Sequence, residues 1–150
     1  MGDVGPATGW GDFALRLQAE RTVWLATVGP DGTPHAAPVW LAVVDDDVYV
    51  FTSGVTVKAR NLLADPRAVL HSEDGEDVVI VSGRLEFIGN PLDYPTAMAG
   101  FGEKYREPGD ADYLPGREPS ADSLFRLRPE KAMSWNLADF EGSQRRWSAP

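Results

Sequence analysis

The chain has 150 residues, of which 43% are hydrophobic and 25% charged, with a formal charge of −9 and no cysteine. That length fits a single domain with a real core, and the missing cysteines exclude a disulfide scaffold, a thiolate metal site and a cysteine nucleophile. The acidic balance argues against nucleic acid or an anionic membrane surface as a partner, and no apolar run nears the ~18 residues of a membrane span.

Residues 1–9 are Gly-rich and expected to be flexible, without the basic-then-apolar pattern of a signal peptide, so a cytoplasmic protein is expected. Residues 10–150 read as one domain. Phe13, Ala14 and Leu17 fall at helical spacing within Trp10–Glu20, with Leu15 off the stripe. Arg21–Val28 is rich in β-branched and aromatic residues and stops at the turn Gly29-Pro30-Asp31-Gly32. A second extended run, Thr33–Val44, ends at Asp45-Asp46-Asp47, and a third, Val48–Ser53, completes an antiparallel meander. The period then changes. Val55, Ala59, Leu62 and Leu63 form one stripe of a helix that Asp65-Pro66 closes. Strands resume at Ala68–His71 and, after Glu73-Asp74-Gly75-Glu76, at Asp77–Ile88, which is apolar on both faces up to Val81 and alternates beyond Gly83, with Leu85 and Phe87 against Arg84 and Glu86, as in a strand passing from a fully covered to a half-exposed region. Pro91–Tyr105 reads as a helix and Glu107–Ala121, with three prolines and two glycines, as a loop. Leu124–Arg128 and Ala132–Asn136 read as two more strands, and Arg145-Arg146-Trp147 ends the ordered chain. The expected architecture is mainly β: an antiparallel barrel of about six strands, with a helix inserted after the third.

Familiar catalytic constellations are missing. His35 and His71 are the only histidines and are not at metal-ligand spacing, so no metal site is expected. There is no Gly-rich phosphate loop and no Gly-x-Ser-x-Gly elbow. Any chemistry therefore falls to a bound cofactor. The most informative segment is Thr52–Asn61: two hydroxyl residues end a strand, Gly54 permits a tight turn, and a helix begins near Thr56. The free N–H groups of a helix start attract anions, Ser53 and Thr56 add hydroxyls, and Lys58 adds a charge in the first turn, where the helix dipole alone disfavours it. The competing reading is that Thr56 only caps the helix and Lys58 reaches for water; the residues alone leave both open. His35-Ala36-Ala37-Pro38-Val39-Trp40 carries small residues against which a flat ring could lie, and Pro38 marks an edge or bulge. The competing reading there is a plain edge strand, with His35 an ordinary strand residue and Trp135 and Trp147 packing residues.

Trp24-Leu25-Ala26-Thr27, Pro30-Asp31-Gly32-Thr33-Pro34-His35, Pro38-Val39-Trp40, Tyr49-Val50-Phe51-Thr52, Lys58-Ala59-Arg60-Asn61-Leu62 and Asp65-Pro66-Arg67 stand in the order seen in split-barrel flavoproteins. The chain thus resembles the pyridoxamine 5′-phosphate oxidase-like proteins, among them the flavin/deazaflavin oxidoreductases common in actinobacteria. The resemblance runs from about Arg21 to Ile88, and Lys104-Tyr105 and Arg145-Arg146-Trp147 look like the family's C-terminal marks. It implies a six-stranded antiparallel Greek-key split β-barrel with flanking helices, a homodimer, and one flavin-type cofactor in each of two clefts between protomers. By resemblance, His35, Ala36, Ala37, Pro38, Val39 and Trp40 run along the ring and ribityl chain. Thr52 and Ser53 serve the ribityl–phosphate end, and Thr56, Lys58 and Arg60 bind phosphate. Arg145 and Trp147 reach the cofactor from the other subunit. One departure matters: true pyridoxamine 5′-phosphate oxidases carry a C-terminal Arg-x-His, whereas here Arg145 is followed by Arg146 and Trp147.

The expectation is an oxidoreductase that moves a hydride between FMN or coenzyme F420 and a small unsaturated substrate. The actinobacterial flavour of the motifs tilts slightly to F420, while the acidic charge opposes its polyglutamate tail. The alternatives are a binding module on the same barrel, holding FMN, haem or a bilin for storage or sensing, and a purely structural barrel dimer.

Overall fold

A computed structural model describes residues 9–150; of the expected flexible N-terminus, residues 1–8 lie outside the described residues. Helix α1 (Trp10–Gln18) buries Phe13, Ala14 and Leu17, the predicted stripe, and leaves Leu15 exposed. Strands β1 (Val23–Val28) and β2 (Pro34–Val39) form a hairpin about Gly29–Gly32, in which Gly32 takes the positive φ of 83° that the turn requires. Strands β3 (Leu41–Val44) and β4 (Asp47–Thr52) form a second hairpin whose two-residue loop, Asp45-Asp46, has positive φ at both positions, the twist-matched solution for a two-residue connection. Helix α2 (Val57–Ala64), β5 (Arg67–His71) and the long β6 (Asp77–Gly89) follow. A 3-10 turn at Pro91–Asp93 leads to α3 (Pro95–Lys104), then a loop with a 3-10 turn at Asp110–Tyr113. Strand β7 (Ser123–Asn136), a short α4 (Phe140–Ser143) and β8 (Arg145–Ser148) complete the chain.

The strands make one antiparallel sheet in the order β2-β1-β5-β6-β7-β4-β3, with β8 also on β7. Its two outer strands, β2 and β3, are consecutive in the chain and joined through Trp40, yet they share no ladder. The curled sheet is therefore a barrel split at that seam. Its interior is one core containing Leu25, Leu70, Val81 and Leu127, closed at one side by Phe13 and Leu17 of α1 and at another by Ala59 and Leu62 of α2. A second, smaller cluster of Ala42, Ala97, Phe101, Tyr105 and Leu124 lies under α3.

Among the described residues the sheet has eight strands rather than about six, and the expected strands change in three places. The expected run Thr33–Val44 breaks at Trp40, because its halves pair with different partners. The expected strands 124–128 and 132–136 are one strand, since Ser82 pairs with Lys131 and Gly83 with Pro129, leaving Glu130 as the extra residue of a β-bulge. Pro129 cannot donate to a ladder and is tolerated at such a bulge. Arg145–Ser148 pairs with Lys131–Ser134 instead of trailing off. Three smaller expectations also change. Phe87 is 48% exposed although Leu85 is buried, and its ring meets Phe125 edge-on at 5.7 Å. Helix α2 starts two residues after Val55, so Val55 and Leu63 are exposed and the inward face is Ala59, Asn61 and Leu62. Pro95 starts α3 afresh, dividing the helix expected over Pro91–Tyr105. Among the described residues no helix is long and apolar enough to cross a membrane.

Candidate functional site

Strand β4 ends at Thr52, opposite Ser123 of β7, and the chain turns through Ser53-Gly54 into α2. The Gly54 N–H donates to the Asp122 carboxylate at 2.9 Å, and a Cβ at Gly54 would stand 2.9 Å from the Ser123 hydroxyl. That bond and the adjoining Ser123 hydroxyl hold the Asp122 carboxyl below its ordinary range. Thr56 is the N-cap: its hydroxyl accepts from the Ala59 N–H at 3.3 Å and donates to the Ser53 carbonyl at 2.8 Å. The N–H groups of Val57 and Lys58 are left without a helical carbonyl. Lys58 is half-buried, makes no hydrogen bond or ion pair among the described residues, and has its pKa lowered by burial. Thr56 thus caps the helix, and Lys58 lines a cleft.

That cleft, about 390 Å³, has three sides. Thr52, Ser53 and Lys58 form the polar end, and Pro38, Val39 and Trp40, where β2 runs into the seam, form a flat apolar wall. The Trp40 ring is stacked on Tyr105 with centroids 4.0 Å apart and planes 6° from parallel. The roof comes from Tyr113, Glu118, Ser120 and Ala121 of the loop after α3. Glu118 accepts from the backbone and hydroxyl of Ser120 at 3.0 and 2.8 Å, which depresses its pKa. The cleft therefore offers one cation, the hydroxyls of Thr52, Ser53, Ser120 and Tyr113, one carboxylate and an aromatic wall. Its volume suits a drug-sized ligand with an apolar body and a polar end. The roof residues were missed in the sequence, although a long loop without regular strands or helices is itself a sign of function.

The other candidate residues lie elsewhere. His35, Ala36 and Ala37 continue up β2 beyond the cleft lining. His35 pairs across the sheet with Thr27, and its Nδ1 is buried without a hydrogen-bond partner. Arg60 is exposed on α2. Arg145 lines a separate cleft with Arg16 and Asp77, and its guanidinium donates to the carbonyls of Gly142 and Gln144. Trp147 packs on Trp10 at 5.3 Å beside the main core. Strand β8 pairs with residues 131–134 of β7, eight residues from Ser123, which is roughly 25 Å along a strand. Within one protomer neither Arg145 nor Trp147 approaches the Lys58 cleft.

The outer face of the sheet carries a largely apolar row of residues. Pro38, Trp24, His71, Ile80 and Met133 lie side by side across five strands, and Trp24 is 36% exposed.

The family described as "Pyridoxamine 5'-phosphate oxidase" matches residues 12–136. The pyridoxine/pyridoxamine 5′-phosphate oxidase of Cupriavidus metallidurans is 31% identical over 141 residues, covering 84% of this chain and 66% of that protein. The chain thus spans somewhat less than two thirds of the length of this curated relative. Among solved structures, a conserved hypothetical protein from Mycobacterium tuberculosis superposes with a TM-score of 0.70 at 25% identity, over 91% of this chain and 90% of that one. An FMN-binding, pyridoxamine 5′-phosphate oxidase-related protein from Nostoc punctiforme has a TM-score of 0.63 at 21% identity, with 97% and 90% covered. An F420 reductase has a TM-score of 0.62 at 22% identity, with 85% and 98% covered. The last two likenesses show the fold alone.

Proposed function

The chain belongs to the pyridoxamine 5′-phosphate oxidase family, and from that premise we propose that it binds a flavin-type cofactor in the Lys58 cleft and acts as an oxidoreductase on a small unsaturated substrate. The observation that carries this reading is Lys58 itself, a half-buried cation without a partner, set between a helix start and an aromatic wall. A cation so placed is stabilised by an anion, and the adjoining free amides of Val57 and Lys58 favour the same charge.

In this reading Lys58, Ser53, Thr52 and the first-turn amides hold the phosphate end, and Arg60 adds charge from the outer surface. Thr56 serves by capping α2 and so fixing Lys58. Pro38, Val39 and Trp40 orient the ring, with His35, Ala36 and Ala37 continuing that wall along β2. The loop carrying Tyr113 and Glu118 borders the cofactor on the remaining side, with Tyr113 itself 65% exposed. The cofactor, when bound, supplies the hydride chemistry, and the protein supplies binding and orientation.

Charge favours FMN over F420. The cleft holds a single lysine and a carboxylate, in a chain of net charge −9, which suits one phosphate better than a polyanionic tail. Pyridoxamine 5′-phosphate is not the proposed substrate, because the C-terminal Arg-x-His of true oxidases is here Arg145-Arg146-Trp147. The apolar outer stripe through Pro38 and Trp24 supports a homodimer in which Arg145 and Trp147 serve the partner's cleft.

The test is titration of the purified protein with FMN and, separately, F420, followed by absorbance and by bleaching under a chemical or enzymatic reductant. Saturable FMN binding with reversible bleaching is expected. A protein that binds neither cofactor, or that shows the spectrum of haem instead, would overturn the reading.

A further inference from the structure

Trp40 forms the cleft's flat wall, yet it stands at the seam between β2 and β3, where no ladder holds it. Its ring is fixed from behind. It stacks on Tyr105, whose hydroxyl donates to the Arg21 carbonyl at 2.7 Å and accepts the Leu41 N–H at 3.0 Å. The guanidinium of Arg21 in turn lies 5.2 Å from the centre of the Trp40 ring and 5.4 Å from that of Tyr105.

The same guanidinium reaches the base of the loop that roofs the cleft. Its two terminal nitrogens fork onto the Asp110 carboxylate at 2.7 and 3.1 Å, and one also meets Glu107 at 2.7 Å. Asp110 is buried, its side chain 8% exposed, and it also accepts the Glu107 N–H at 3.0 Å. Arg21 is 44% exposed, so the pair is only partly buried, and its strength comes from the two-pronged, charge-assisted geometry. A short way along the loop, Tyr113 meets the Trp40 ring edge-on with centroids 6.3 Å apart.

We propose that Arg21, from outside the cleft, is its positioning residue: one guanidinium clasps the roof loop through Asp110 and Glu107 and holds the Trp40 wall through the Trp40–Tyr105 stack. This rests on the reading that the Lys58 cleft holds the cofactor. The guanidinium sits beside the stack, nearly equidistant from the two rings, and lysine could keep the charge at position 21 but could not fork onto Asp110.

The experiment compares the wild type with Arg21→Lys and Asp110→Asn by hydrogen exchange across residues 106–121 and by stopped-flow binding of FMN. In both variants exchange in 106–121 should quicken about tenfold while the paired amides of β6 and β7 keep their protection. FMN dissociation should quicken by about the same factor, with association changed less than about twofold. The two changes should be non-additive when combined. Unchanged exchange in 106–121 would overturn the clasp. Quickened exchange with an unchanged FMN dissociation rate would overturn the positioning role. Failure of the wild type to bind FMN would overturn the cofactor reading alone, the exchange result still deciding the clasp.

Discussion

The side-chain amide of Asn61 donates to the hydroxyl of Thr27 at 3.1 Å, a bond between α2 and β1 in which both residues are buried. It bolts the helix that carries Lys58 to the barrel wall. Asn61→Ala leaves a buried hydroxyl short of a partner and opens a small void, so a loss of about 1–3 kcal/mol in urea unfolding is expected. A change below about 0.5 kcal/mol would mean that the bond holds nothing.

Lys58→Ala should weaken FMN binding by about 10- to 100-fold, the equivalent of one charge-assisted hydrogen bond. The apo-protein should be unaffected or slightly stabilised, since alanine is the better helix former and a cation leaves the helix N-terminus. Wild-type binding should fall with added salt, and the variant's should fall less. Titrations at two ionic strengths measure both effects, and an unchanged dissociation constant would remove Lys58 from the site.

Gly83 has no room for a side chain. A Cβ there would stand 2.2 Å from the Arg128 carbonyl, across the bulge that makes β7 continuous. Gly83→Ala should cost more than about 2 kcal/mol or yield insoluble protein, because the obstacle is backbone. A thermal melt matching the wild type would contradict this account of the bulge.

The Lys104 Nζ is buried without a hydrogen-bond partner, and burial pushes its pKa down to about 8. Between that value and the ordinary 10.5 the unfolded chain binds more protons than the folded one, so this group makes stability rise with pH across that window. Below pH 8 both states hold the proton and the penalty is complete. Lys104→Met should therefore stabilise the protein most at pH 7, by about 1–2 kcal/mol once partial hydration of the side chain is allowed for, with the gain shrinking towards pH 10.5. Denaturant midpoints at pH 7 and 10 test this; an equal gain at both would assign the effect to packing.

A homodimer predicts about twice the chain mass of 16.3 kDa in light scattering. Trp24→Glu, placed in the middle of the apolar outer stripe, should yield monomer and lose FMN affinity with it. Arg145→Ala should keep the dimer but weaken FMN binding. A wild-type monomer at micromolar concentration would refute the shared cleft.

Much of the fold is legible in short stretches of sequence. The turn at Gly29–Gly32, the Asp45-Asp46 hairpin loop, the inward stripe of α1 and the Thr56 cap each depend on a few neighbouring residues, whose backbone preferences and side-chain spacing act locally. The Pro38–Trp40 wall and the Thr52–Lys58 end of the cleft were legible too, because turn, hydroxyls and helix start are contiguous in the chain. Tertiary structure decided the rest. Whether Leu124–Asn136 is one strand or two depends on pairing with β6, which absorbs Glu130 as a bulge between the pairs Ser82–Lys131 and Gly83–Pro129. Leu63 and Phe87 are as apolar as the buried residues near them, and only the way α2 and β6 pack against the rest of the chain leaves them outside. The roof over the cleft has no local signature, because Arg21 and Asp110 meet across 89 residues of chain and the loop is held by that meeting. Short-range sterics and hydrogen bonding can be read from neighbours in sequence, whereas burial and ion pairing depend on which distant surfaces the folded sheet brings together.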